Sequence, residues 1–163
     1  MEHHALHLAQ PGWSNPSLPV LVYRGAAGAN DPAAFEALFG RHGWPAAWRN
    51  GVYRFHHFHS NAHEALGFAA GSARLRLGGP AGEEVAVAAG DAVLLPAGTG
   101  HFLIEASSDF LVVGAYPPDQ RNPDLCRIAA DAAQAARIAG LEFPQSDPVQ
   151  GAKGLIQEKW SAA

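Results

Sequence analysis

Residues 51–71, GVYRFHHFHSNAHEALGFAAG, carry a spacing around which the rest of the chain can be organised. His57 and His59 stand two apart, Glu64 follows five residues after His59, and glycines lie six before His57 and seven after Glu64. Residues i and i+2 of a strand point to one face, so an extended segment over 52–59 would aim both imidazoles at one point. Tyr53 and Phe55 share that face by the same alternation, whereas His56 and Phe58 point away. A turn after His59 can swing Glu64 in from the next strand. Two imidazoles and one carboxylate are an incomplete metal site, so a fourth ligand has to come from elsewhere.

A second stretch, GDAVLLPAGTGH over 90–101, places Pro96, Gly98 and His101 six, eight and eleven residues after Gly90. Together the two stretches resemble the paired motifs of the cupins, in which two histidines and a glutamate come from the first motif and a histidine from the second. The flanks YRGA (23–26), WRNG (48–51), HSNAHE (59–64) and VVGAYP (112–117) are similar to those of small bacterial YjlB-like cupins. The resemblance implies an all-β fold, a double-stranded β-helix (jelly-roll) barrel, and the ligand set His57, His59, Glu64 and His101. One position departs from the pattern. Four residues after its histidine the second cupin motif usually carries asparagine, and here Glu105 stands there.

Size and composition bound the alternatives. At 163 residues the chain is expected to form a single domain, with a barrel core at about 51–116, an N-terminal arm, strand and helix over 1–50, and a C-terminal helix and tail over 117–163. The formal net charge of −4 is mild and the Lys and Arg residues are scattered, so no cationic track for a phosphate backbone is expected. One cysteine, Cys126, rules out a disulfide within the chain. It has no histidine or lysine beside it in sequence and reads as a small, inert residue. The apolar runs are short of a membrane span, and the first ten residues lack the basic start and apolar stretch of a secretory signal. A cytoplasmic location is expected. His3, His4 and His7 fall in a terminus of the kind that is usually poorly ordered, and are read as incidental.

Along the chain, PGWSNPSLP (11–19) holds three prolines and is an extended arm that covers the barrel mouth or crosses a partner subunit. Residues 18–23 form a short apolar strand. A helix follows, with Asn30 or Asp31 as N-cap, Pro32 at its first position and Gly43 just past its end; Phe35, Leu38, Phe39 and His42 make its buried stripe. Trp44, Pro45 and Trp48 form an aromatic connector. From Val52 the periodicity changes to two, and strands are predicted at 52–59, 64–70, 73–78, 83–89, 92–95, 101–106 and 110–116. The last lacks alternation, so both of its faces are expected to be covered, which together with the N-terminal strand suggests a homodimer. An alanine-rich helix is predicted over 124–139, with Leu125, Ile128, Ala132, Ala135 and Ile138 on one side, and Trp160 anchors a turn-rich tail.

If His101 faces inward, alternation carries Leu103 and Glu105 with it. The expected pocket has walls of Tyr53, Phe55, Leu66, Phe68, Leu95 and Leu103 and binds a small molecule. Three neutral imidazoles and a carboxylate suit one divalent first-row transition metal: Mn, Fe, Co, Ni, Cu or Zn. His63 precedes Glu64 and points away from it in an extended segment, as a surface or supporting residue, or replaces it as ligand if the turn is bulged. Glu105 is either a second carboxylate at the metal, available as general acid or base, or a solvated residue at the rim. The class that the cupin resemblance implies is a small metal-dependent enzyme of oxygenase, isomerase or decarboxylase type acting on a small oxygenated acid or sugar derivative. The alternatives are a non-catalytic metal- or ligand-binding cupin and a metal-free carbohydrate epimerase.

Overall fold

The computed structural model describes residues 1–160. Among the described residues nine strands run in the order β1 (His3–Leu6), β2 (Val20–Tyr23), β3 (Ala46–Asn50), β4 (Glu64–Ala70), β5 (Ser72–Leu77), β6 (Glu83–Ala88), β7 (Ala92–Leu95), β8 (His101–Ala106) and β9 (Leu111–Ala115). Three helices accompany them: α1 (Pro32–Arg41), α2 (Ala132–Ala139) and α3 (Leu155–Lys159). The strands form a six-stranded sheet of order β1-β2-β7-β4-β9-β3 and a three-stranded sheet of order β6-β5-β8, all antiparallel. The fold is the all-β barrel that the motifs imply.

Between the sheets lies an apolar interior of Val20, Val22, Leu66, Phe68, Leu75, Leu77, Val85, Val87, Val93, Leu95, Leu103 and Val112. Alternation in β5 works as expected, with Ala73, Leu75 and Leu77 buried and Arg74 and Arg76 turned outward. Burying each large aliphatic side chain contributes roughly 1.5–3 kcal/mol. The large sheet is covered on its other face as well, by Phe35, Leu38 and Phe39 of α1 and by Leu155, Ile156 and Trp160 of the tail. Phe35 lies so close to β4 that a Cβ on Gly67 would fall 2.4 Å from its ring. The lack of alternation in β9 therefore has its cause within the chain, and it carries no information about a partner.

Four expectations need correction. Residues 52–59 form no strand; His57 and Phe58 make isolated bridges to His101 and Cys126. The N-terminal segment is ordered as β1, paired to β2, with His3 and His4 exposed. Residues 46–50 pair with β9 as a strand. The C-terminal helix begins only at Ala132, because Asp131 caps it in a reciprocal box with Gln134, while 124–130 is irregular, with Cys126 bridged to Phe58 and the Ala130 N–H donating to Gly12 O. Helix α1 matches its expected ends, with Asp31 as N-cap and Pro32 first. The arm folds back on its own chain: Trp13 packs over Gly79 and Asn15 Nδ2 donates to Ala97 O. No helix among the described residues is long and apolar enough to cross a membrane.

Candidate metal centre

Four side chains from three places meet at one end of the barrel. His57 and His59 come from the irregular 51–63 segment, Glu64 opens β4 and His101 opens β8. Each imidazole is held by its Nδ1 against a backbone carbonyl: His57 to Phe55 at 2.9 Å, His101 to Thr99 at 3.0 Å, and His59 to Asp124. A carbonyl only accepts, so each Nδ1 carries the proton. In the neutral ring the Nε2 lone pair is then left bare. His101 Nε2 lies 3.2 Å from Glu64 Oε1 and His59 Nε2 lies 3.5 Å from Glu64 Oε2. Lone pairs facing a carboxylate at such distances repel unless a cation or a proton stands between them.

The donor atoms of His59, Glu64 and His101 all lie within 4.8 Å of one another, the one such group among the described residues. His57 stands alongside, its ring centroid 3.9 Å from that of His101 and 6.1 Å from that of His59. Glu64 is buried, and its Oε1 has no hydrogen-bond partner among the described residues. An orphaned buried carboxylate oxygen is costly, and together with bare imidazole nitrogens it fits a divalent first-row ion.

Electrostatics point the same way. Burial would raise the Glu64 pKa, but His59 and His101 together hold it well below the usual carboxylate range. Burial works against charge on His59, yet Glu64 and the Asp124 carbonyl keep its pKa above 6.5. His57 is pushed down to about 3, first by burial and then by neighbouring His101, and stays neutral.

Above these groups opens a pocket of about 440 Å³, lined by Trp48, Asn50, Gly51, Val52, Tyr53, Leu66, Tyr116, Pro123, Asp124 and Leu125 as well as the four candidate ligands. Asp124 seats the covering loop: its carboxylate accepts from the Ser60 N–H and hydroxyl, and its own N–H donates to Asn61 Oδ1. Of the expected walls, Tyr53 and Leu66 line the pocket. Phe68, Leu95 and Leu103 lie in the barrel interior instead, and Phe55 sits outside the lining, stacked on Tyr53 beneath the Arg127 guanidinium. Trp48, Tyr116 and Asp124 were not among the residues expected there, although WRNG and VVGAYP carry the first two.

Glu105 lies elsewhere. A bulge in the β5–β8 pairing sets Arg74 opposite Glu105 but Leu75 opposite Leu103, so one extra residue turns Glu105 to the outer face. There it pairs with Arg74 at 3.1 Å, with 68% of its side chain exposed. Of its two expected places it takes the solvated one, not that of a second carboxylate beside Glu64. His63 is buried rather than at the surface: its Nδ1 accepts from the Ala97 N–H at 2.9 Å, its ring lies 4.9 Å from that of Trp160, and burial pushes its pKa down to about 4. It is not in the metal-sized group.

With this geometry in hand, likeness to known proteins can be placed. Over 148 residues the chain is 34% identical to the YjlB protein of Bacillus subtilis, covering 90% of this chain and 88% of that one. The chain belongs to the YjlB family. No family model matches this YjlB-like chain. Solved structures similar to it include a DUF861 family protein of Thermotoga maritima, at 19% identity and TM-score 0.31 over 44% of this chain and 75% of that one. Another is oxalate decarboxylase of Bacillus subtilis, a protein with Mn(II) centres, at 19% identity and TM-score 0.33 over 76% of this chain and 29% of that one.

Proposed function

We propose that the chain is a metal-binding cupin whose ion is held by His59, Glu64 and His101, with His57 beside them, and that it acts on a small oxygenated organic molecule. One observation carries this reading: imidazoles held by Nδ1 against backbone carbonyls turn their Nε2 atoms toward a buried carboxylate whose Oε1 has no hydrogen-bond partner among the described residues. When bound, a divalent ion would supply Lewis acidity toward a coordinated oxygen or, if redox-active, electron transfer. The protein's own residues do the rest. The backbone carbonyls fix ring orientation, Leu66, Val52 and Trp48 give the pocket an apolar wall, and Pro123, Asp124 and Leu125 add to its lining. A pocket of about 440 Å³ leaves room for a molecule larger than a two-carbon acid.

The reaction class within this reading is oxygenase, isomerase or decarboxylase. A non-catalytic, ligand-holding role is favoured by a different observation: neither pocket carboxylate is left over for acid–base work, since Glu64 is taken up by the proposed ion and Tyr116, and Asp124 by Ser60. The test is elemental analysis of protein purified without a nickel column or chelator, beside a His59→Ala/His101→Ala variant. Near-stoichiometric divalent metal in the first and its loss in the second are expected. Dioxygen uptake and turnover of hydroxy acids, keto acids and sugars by the loaded protein then separate enzyme from binder. Little metal in either protein, even after reconstitution with several ions, would sink the proposal, and turnover by the metal-free form would point to epimerase-like chemistry.

A further inference from the structure

Two pocket side chains make polar contacts that the site as proposed does not use. Trp48 Nε1 lies 2.9 Å from the Tyr116 hydroxyl, which lies 2.8 Å from Glu64 Oε2. The direction of these bonds is not free. An indole N–H can only donate, so the Tyr116 oxygen must accept from it, and a carboxylate only accepts. The single hydroxyl proton of Tyr116 is therefore committed to Glu64 Oε2, while Oε1 stays open.

The sheet is built to hold this arrangement. In the β4–β9 pairing Ala65 faces Ala115 and Leu66 faces Gly114, a register that sets Glu64 opposite Tyr116 just past the strand end. Trp48 pairs with Gly114 across a bulge in β3, and its indole lies over that glycine, where a Cβ would fall 2.1 Å from the ring. Any larger residue would push the indole away from Tyr116.

We propose that Tyr116, aimed by Trp48, is a positioning residue that caps Glu64 Oε2 and so presents Oε1 to the ion as a single-oxygen ligand. The inference rests on the metal reading of the site. Neighbours that orient metal ligands typically change affinity 10–100-fold when removed.

The test uses Mn(II) as a paramagnetic probe on the full chain, comparing wild type with Tyr116→Phe, Trp48→Phe and the double variant. Tyr116→Phe is expected to weaken Mn(II) binding roughly tenfold or more and to change the fine structure of the Mn(II) resonance spectrum, because the carboxylate is free to rotate. Trp48→Phe should shift both in the same direction by less, and the double variant should match Tyr116→Phe, since Trp48 acts through Tyr116. An unchanged spectrum and dissociation constant in Tyr116→Phe would overturn the proposal. If that variant does not fold, an unaltered spectrum in folded Trp48→Phe overturns it equally. Wild type that binds no ion at all would remove the site and this inference together, an outcome distinct from wild type that binds with unresponsive variants.

Discussion

His59 links the site to pH. Its folded-state pKa lies above the ordinary 6.5 because Glu64 faces it, so the metal-free protein holds a proton there to higher pH than a free imidazole does. That pairing contributes stability fully present below the unfolded pKa and lost as pH rises through the folded one. Glu64 has the opposite sign: its depressed pKa contributes stability present above the unfolded value of 4.5 and lost as pH falls through the folded value. An ion has to displace the His59 proton, so metal affinity should rise about tenfold per pH unit below the folded His59 pKa and level off above it, with proton release on binding. Isothermal titration in buffers of different ionisation enthalpy measures this, and pH-independent affinity between pH 6 and 8 would contradict it. His57, held neutral with a pKa of about 3, should contribute nothing to that dependence. The identities of the histidines and glutamate were legible in their spacing. The role of His63 was not, because its buried partners, Ala97 and Trp160, come from distant parts of the chain.

Among the elements, strand periodicity could be read wherever one face is apolar, as in β5. It misled at β8, where a bulge breaks the alternation and turns Glu105 outward. Bulges leave no mark in a hydrophobic pattern, since the extra residue is set by pairing with the neighbouring strand. Glu105→Gln should accordingly leave metal content unchanged, as elemental analysis would show; loss of metal would mean that Glu105 reaches the site after all. Gly114→Ala is the opposite case: a conservative change on β9 should displace the Trp48 indole, altering tryptophan fluorescence and weakening Mn(II) binding. Helix α2 depends on the capping box of Asp131 and Gln134, and Asp131→Ala should cost about 1 kcal/mol in urea unfolding.

Across the whole molecule, one buried carboxylate ties the tail to the barrel. Asp147 accepts from the Tyr23 hydroxyl at 2.6 Å and from the backbone N–H groups of Val149, Gln150 and Ile156 at 2.8, 2.9 and 3.2 Å. Trp160 adds a bond to Pro19 O at 2.9 Å. Asp147→Ala strands several buried donors and should cost roughly 3 kcal/mol or more, whereas Tyr23→Phe should cost about 1 kcal/mol. Urea midpoints distinguish them, and equal small losses would show that the tail docks without this anchor. Local order alone was enough to read the barrel class, the ends of α1, the turn glycines and the residue types of the His–Glu cluster, because periodicity, capping and motif spacing act over a few neighbouring residues. The bulge that expels Glu105, the covering of the large sheet by α1 and the tail, the placing of Asp124 and Leu125 at the pocket, and the meeting of Trp48, Tyr116 and Glu64 all arise from segments tens of residues apart. Register, closure and packing set those, and no single stretch of the chain contains them.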